Sequence, residues 1–476
     1  MHAQGEEADG LNPAVDCPSA WTPMRKWWTV LLLAFSSFCV TFGCLWVAPL
    51  ANGIVEDLNN TGGDSSTTDN DGSSAAVILV TIWELGEATG PLLIGPLSET
   101  FGRLPLYMAA NALFTLATAL GAMSNSIELL TASRALTGLA VAANVLNPAV
   151  VGDIFPPEQR GAAMSCITIA PLLASAVAPL TSSLVGSILG WRAVVWLSVL
   201  LSASCQLLFL VGFRETYYPI IVAASTQGSG CRCSTDIAED QPLVLELMIS
   251  IRRPFVVFFG SGVLMSLSAF GAVCYSYFYI ISTTLPNILE QTYSFAPGTT
   301  GWAFCANGIG TLIGVWICHR NLDRIYINLT KNAAKHGQPE YRLPLSILGV
   351  VTLPPAVALY GWSAALHLPL PLFLLSIVWI RASMTLAALP LMPYVVDACG
   401  AFSASALTGL IVVRCLAGAF LPLATAALVR SDGGLGYGWG FTVMAGVNLL
   451  FGMVPVVLFR YGERWRAGSV YTSTPR

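Results

Sequence analysis

The sequence predicts an all-α membrane protein with twelve transmembrane helices in two six-helix bundles, and three observations predict it. Hydrophobic residues make up 55% of the 476 positions and charged residues only 10%, against roughly 25% charged in soluble domains. So few charges cannot cover a water-facing surface on a chain this long. Uncharged or nearly uncharged apolar runs of bilayer-spanning length, about 20 residues each, recur between residues 28 and 459. A polar stretch at 214–253 divides these runs six and six. The same balance excludes an ordinary cytosolic enzyme and a disordered chain, and a net charge of −4 supplies no basic field for nucleic acid.

The elements follow in order. Residues 1–24 are polar and acidic and read as a tail. The first apolar run is too long for the core of a cleavable leader, so it reads as a first span. The spans are expected at 28–50, 75–97, 105–124, 128–150, 162–186 and 193–213, then at 255–282, 298–318, 344–364, 370–394, 402–428 and 438–459. Pro369 and Pro371 crowd the junction of spans 9 and 10. The expected units are a tail (1–24), a first bundle (25–213), a central loop (214–253), a second bundle (254–459) and a second tail (460–476). With both termini placed in the cytoplasm, 17 of the 22 Lys and Arg residues fall on that side, and only Arg192 and Arg430 fall outside. The loop at 51–74 is then external, and its Asn59-Asn60-Thr61 sequon makes Asn59 a glycosylation candidate.

An internal echo supports two related halves. Arg134 precedes Pro148-Ala149-Val150-Val151 and Asp153, and Arg381 precedes Pro393-Tyr394-Val395-Val396-Asp397. A carrier built from repeated units predicts such a pattern.

Ionisable groups inside a bilayer are costly and usually face a cavity and pair. Glu84 and Glu87 lie three apart in span 2 and share a helical face. Neighbouring carboxylates in low dielectric favour holding a proton. The pair therefore reads as a proton-coupling site, as a static partner for Arg134, or as groups at the outer mouth. Arg134 and Arg414 read as cavity residues, Arg381 as half of a structural pair, and Asp153 and Asp397 as helix-end groups that latch onto loop cations. Tyr275, Tyr277, Phe278 and Tyr279 in span 7 form either a tolerant apolar substrate surface or ordinary packing. No metal or cofactor is expected. The four histidines are scattered, the Cys231-x-Cys233 pair has no histidine nearby, and no Walker-type loop is present.

The link between spans 2 and 3 reads Gly95-Pro96-Leu97-Ser98-Glu99-Thr100-Phe101-Gly102-Arg103. It resembles the loop 2–3 motif of the major facilitator superfamily, with Thr100 and Leu104 replacing two basic positions. Further segments resemble the fungal twelve-span drug:proton antiporter branch. They are Arg134-Ala135-Leu136-Thr137-Gly138, Asp153 with Pro156-Pro157-Glu158-Gln159-Arg160-Gly161, Glu215-Thr216-Tyr217-Tyr218-Pro219, and Arg414 with Gly418-Ala419-Phe420-Leu421-Pro422. Span 5 departs from the glycine-rich antiporter pattern, with Ala170-Pro171 and Ala178-Pro179 in its place. The resemblance implies gating roles for Gly95, Ser98, Glu99, Gly102, Arg103, Asp153, Pro171 and Pro179, and ties Arg134 to proton movement. It implies proton-coupled efflux of a small amphipathic organic compound by a monomer in the plasma membrane, the vacuolar membrane being the other candidate. Its partners would be that small molecule, protons and the lipid bilayer. Proton-linked import of a polyamine, sugar or vitamin is the alternative in the same class. A non-transporting sensor is the alternative from another class, and the short segment after Phe459 argues against it.

Overall fold

The computed structural model describes residues 18, 21–62, 69–141, 145–217, 243–333, 338–430, 434–469 and 471–472. The first half comprises α1 (Pro23–Leu45), α2 (Ala51–Gly62), α3 (Asp69–Thr81), α4 (Trp83–Phe101), α5 (Arg103–Ala122), α6 (Ile127–Val141), α7 (Asn147–Ile154), α8 (Pro157–Leu189) and α9 (Trp191–Gly212). The second comprises α10 (Leu243–Phe259), α11 (Gly262–Gln291), α12 (Phe304–Ala333), α13 (Pro344–Ala365), α14 (Leu370–Ala388), α15 (Leu391–Cys399), α16 (Ser403–Val429) and α17 (Gly436–Ala467). Among the described residues, eleven helical stretches are long and apolar enough to cross a bilayer. The expected fourth span appears as α6 and α7, and residues 142–144 between them lie outside the described set.

Within the first half α1 packs on α8 and α9, and α4 and α5 pack on α6. Within the second, α13 packs on α14 and α17, and α11 on α16. The halves meet where α16 crosses α3 and α4, and where α8 meets α12 and the 3-10 turn at Pro297–Ala303. Leu200, Leu207, Leu210 and Val211 of α9 stay exposed, as expected for side chains facing lipid.

Several expected boundaries are corrected. Span 7 does not end near residue 282 but runs to Gln291 as α11. Its Ser282, Thr283 and Thr284 hydroxyls donate to the carbonyls of Phe278, Tyr279 and Ile280 one turn back. Their polarity is therefore satisfied inside the helix. Span 8 continues past Arg320 to Ala333, and span 12 continues past Phe459 to Ala467, because charged residues end an apolar run without ending a helix. The segment expected as an external loop contains α2, whose buried Ile54, Val55 and Leu58 recur at helical spacing. The central loop contains α10, and residues 218–242, including Cys231 and Cys233, lie outside the described set.

Two local devices set the frame around the site. Gly102 links α4 to α5 at φ 94°, a region that favours glycine. Asn147 opens α7 and ties three spans together. It accepts from the Tyr107 hydroxyl at 2.6 Å and donates to Ser37 Oγ at 3.0 Å.

Candidate functional site

A cavity of about 620 Å³ lies between the two halves. Its walls come from α1, α4, α6, α8, α11, α12, α14, α15 and α16. Val145, Thr168, Met392 and Leu410 place it in the middle of the bundle and toward the end that holds both described chain ends. At the other end the halves touch. Asn52 of α2 bonds Asn287 of α11, and the Thr81 hydroxyl donates to Ala419 O at 3.2 Å. Gly301 lies so close to α8 that an added Cβ would meet Pro179 O at 2.5 Å.

The two carboxylates of α4 lie at this junction. Glu84 is fully buried and accepts a hydrogen bond from Tyr279 Oη of α11 at 2.5 Å. Glu87 lines the cavity, and its Oε1 lies 3.2 Å from Arg414 Nη2 of α16. Each carboxylate thus bonds a residue of the opposite half. Glu84, Glu87 and Cys415 each offer a ligand atom, all within 4.8 Å of one another. The Arg414 guanidinium already supplies the cation beside them.

Close helix contact makes this placement possible. A Cβ on Gly138 of α6 would collide with the Trp83 backbone, and one on Gly86 with the Ala135 carbonyl. Absent side chains therefore let α4 seat against α6 and fix where Glu84 and Glu87 point.

The arginines separate by role. Arg134 is not the partner of either carboxylate. It donates to Gly43 O at 2.6 Å and Cys44 O at 2.8 Å, and lies 3.4 Å from Leu79 O. The first two are carbonyls at the C-terminal end of α1, where a helix leaves its last carbonyls without internal partners, and Leu79 lies on α3. Arg134 is thus placed at a helix end rather than in the cavity wall, and it is 4% exposed. Arg381 departs in the opposite sense from its expected structural pair. It lines the cavity, bonds Thr311 Oγ1 at 3.0 Å and stacks on Phe278 at 4.7 Å. Among the described residues no carboxylate lies within salt-bridge distance of it. Arg414 lines the cavity and stacks on Tyr275 at 4.3 Å.

Tyr275 and Phe278 line the cavity, with ring centroids 6.4 Å apart. Tyr277 faces away, is buried, and donates to Met444 O at 2.8 Å, so it is a packing residue. Residues this close along one helix fan out around its axis and cannot all aim at one face. Tyr279 and Trp83, whose rings lie 6.1 Å apart, complete the aromatic wall. Pro171 also lines the cavity.

The helix-end groups gather at the end of the bundle nearer the chain ends. Arg103 bonds Ser98 and lies 3.5 Å from Asp153. Burial pushes the Asp153 carboxyl up, against the downward pull of Arg103. The Glu215 carboxylate accepts from the backbone N–H of Arg103 and of Leu104, both at 3.0 Å. The second half repeats the chemistry. Arg342 precedes α13 as Arg103 opens α5, and its Nε lies 2.5 Å from Asp397. The side chains at Gly95 and Glu99 lie outside the described set, and Asn59 lies on α2, half-buried.

Sequence reasoning did not single out Trp83, Asn307 or Thr311. Their only signal was helical register with the charged residues, which needs the helix pairing to be read.

The Major Facilitator Superfamily profile matches residues 31–422. The chain is 30% identical over 460 residues to "MFS transporter cpaT" of Aspergillus oryzae, covering 95% of this chain and 90% of that protein. It is 29% identical over 462 residues to "Efflux pump radE" of Floropilus chiversii, covering 94% of this chain and 82% of that protein. Among solved structures, a D-xylose-proton symporter superposes with a TM-score of 0.69 at 15% identity, covering 90% of this chain and 97% of that one. The partially occluded inward-open xylose transporter XylE from E. coli superposes with a TM-score of 0.68 at 14% identity, covering 92% and 98%. At these identities the structural likeness speaks for the fold alone. The profile match across most of the chain, the relatives matched nearly end to end and the central cavity agree: the chain belongs to the Major Facilitator Superfamily and is a multi-pass membrane transporter of that family, not an enzyme.

Proposed function

We propose that this transporter exports a small amphipathic organic compound (a drug, toxin or secondary metabolite) in exchange for protons, by alternating access. One observation carries the reading: both carboxylates of α4 bond across the junction of the halves, Glu84 to Tyr279 and Glu87 to Arg414. A proton on either carboxylate changes the contact that holds the halves together at one end. Proton occupancy and conformation are thereby linked. The chemistry of the wall suits an amphipathic guest, since aromatic rings surround two guanidinium groups. A curated relative carries the name efflux pump, which favours export.

The orientation that puts most Lys and Arg in the cytoplasm opens the cavity to the cytoplasm of the plasma membrane. In that state a proton has left the Glu84–Glu87 pair, and the Glu87–Arg414 ion pair is closed. Substrate entering from the cytoplasm competes for Arg414 and loosens the pair. The halves then part on the outer side, substrate leaves, and a proton from outside occupies the pair for the return. The same orientation puts Asn59 outside, open to glycosylation.

Inside-out vesicles from a host lacking its own pumps test the reading. With a proton gradient imposed, uptake of labelled xenobiotics or fungal metabolites that collapses with the gradient is the expected result. Gradient-dependent uptake seen only in right-side-out vesicles would overturn export in favour of import.

A further inference from the structure

We infer that Arg381 is the recognition group for an acidic function on the transported compound, so that the substrates are aromatic or otherwise flat organic acids. This deepens the proposed function and rests on its view of the central cavity as the substrate site.

The echo in sequence makes Arg134 and Arg381 counterparts, yet their surroundings differ. Arg134 spends its donors on the carbonyls of Gly43 and Cys44. Those carbonyls are free because α1 stops at Leu45. The counterpart helix α11 is 30 residues long and continues to Gln291. Its carbonyls at the corresponding level stay inside the helical ladder, and none is left for Arg381. Among the described residues its donors find only the Thr311 hydroxyl and, 3.2 Å away, the Met384 sulfur. Its Nε is buried with no hydrogen-bond partner among the described residues.

A second polar group nearby is in the same condition. Asn307 lies one turn from Thr311 on α12 and is 4% exposed. Neither its amide nitrogen nor its amide oxygen has a partner among the described residues. It shares with Arg381 the lining of a narrow recess that also includes Ser175 and Phe278, and these two and Arg381 line the main cavity as well. Buried polar groups without partners are expensive. A cation and an amide left in this condition, side by side at a cavity wall, fit a ligand that brings acceptors.

The charges favour an anion at this position. Arg414 is offset by Glu87, whereas Arg381 faces no described carboxylate within salt-bridge reach. Phe278 lies under the Arg381 guanidinium, and Tyr275 under that of Arg414. A flat apolar body can rest on these rings while its carboxylate or enolate takes the two-pronged donor face of Arg381.

Equilibrium binding to the full chain in nanodiscs tests this, with no gradient and no dependence on transport direction. The probes are naphthalene-, indole- and biphenyl-bearing carboxylic acids, each paired with its methyl ester. The wild type is expected to bind at least one acid about tenfold or more tighter than its ester. Arg381→Gln is expected to erase that preference while ester affinity holds, and Arg381→Lys to keep part of it. Asn307→Leu is expected to weaken the acid more than the ester. Equal affinity for every acid and its ester in the wild type would overturn the inference. So would a preference undiminished in Arg381→Gln. Should Arg381→Gln bind neither probe, Arg381→Lys decides: it supports the inference if it still prefers acid and overturns it otherwise. Acid-selective binding beside failed export in vesicles would count against the export reading alone.

Discussion

Under the proposed proton exchange, Glu87→Gln should separate coupling from substrate passage, because it removes one charge and keeps the size of the side chain. In the protein the carboxylate lies 3.2 Å from Arg414, with side chains 15% and 22% exposed. Removing one partner of a buried ion pair costs about 3–5 kcal/mol. Glutamine still accepts a hydrogen bond from the guanidinium, and such a bond to a charged group contributes about 1.5–3 kcal/mol. The junction therefore loses on the order of 1–3 kcal/mol. Each 1.4 kcal/mol moves a two-state equilibrium about tenfold. The variant is expected to rest less in the state described here and to be indifferent to protons at this site. Proteoliposomes report both effects. Exchange of labelled for unlabelled substrate at equal pH should persist, because it requires only binding and movement. Accumulation driven by a pH gradient should fall about tenfold or more. Full gradient-driven accumulation by the double variant Glu84→Gln/Glu87→Gln would refute the reasoning, since no carboxylate would remain at the junction.

Arg134→Gln should lower the thermal stability of the purified transporter by on the order of 3 kcal/mol, because the Gly43 and Cys44 carbonyls lose their donor. Exchange and gradient-driven transport should fall together, and Arg134→Lys should not restore them, since a compact ammonium lacks the planar spread of donors that reaches the Gly43, Cys44 and Leu79 carbonyls at once. Loss of gradient-driven transport alone, with unchanged stability, would restore the proton role that the family motif implies. Gly138→Ala should cost about 1–3 kcal/mol by pushing α6 away from the Trp83 backbone. Gly161→Ala, where an added Cβ meets nothing within 4 Å, should cost nothing in the same melting assay.

Much of the fold was legible because bilayer physics writes itself in composition. A span must be apolar for about 20 residues, so the runs and their polar breaks located the membrane helices. The ends were less legible. Hydropathy reports where the bilayer stops and not where the backbone stops turning, so α12 and α17 outran their apolar runs. Hydroxyl-bearing residues misled in the same way at the end of α11, where a back-bond hides their polarity. The site was legible only as a set of charges. Glu84, Glu87 and Arg414 stood out because ionisable groups are rare in apolar runs. Which of them pair depends on how the halves dock, and that is absent from any single helix. Glu87 therefore had Arg134 as its nearest plausible partner in sequence terms and Arg414, 327 positions away, in fact.

The two arginines of the repeat show how a symmetric chain acquires an asymmetric site. At the helix ends the symmetry holds, with Arg103 near Asp153 and Arg342 near Asp397 in corresponding places. In the centre it fails because α1 is 23 residues long and α11 is 30. The shorter helix exposes carbonyls that take up Arg134, and the longer one leaves Arg381 open to the cavity. A difference in where one helix stops thus turns one copy of a repeated arginine into a cap and leaves the other available to a guest. The first half contributes the paired carboxylates, and the second contributes Tyr279, Arg381 and Arg414. Neither half holds a complete site, so any motion of one against the other must make or break it.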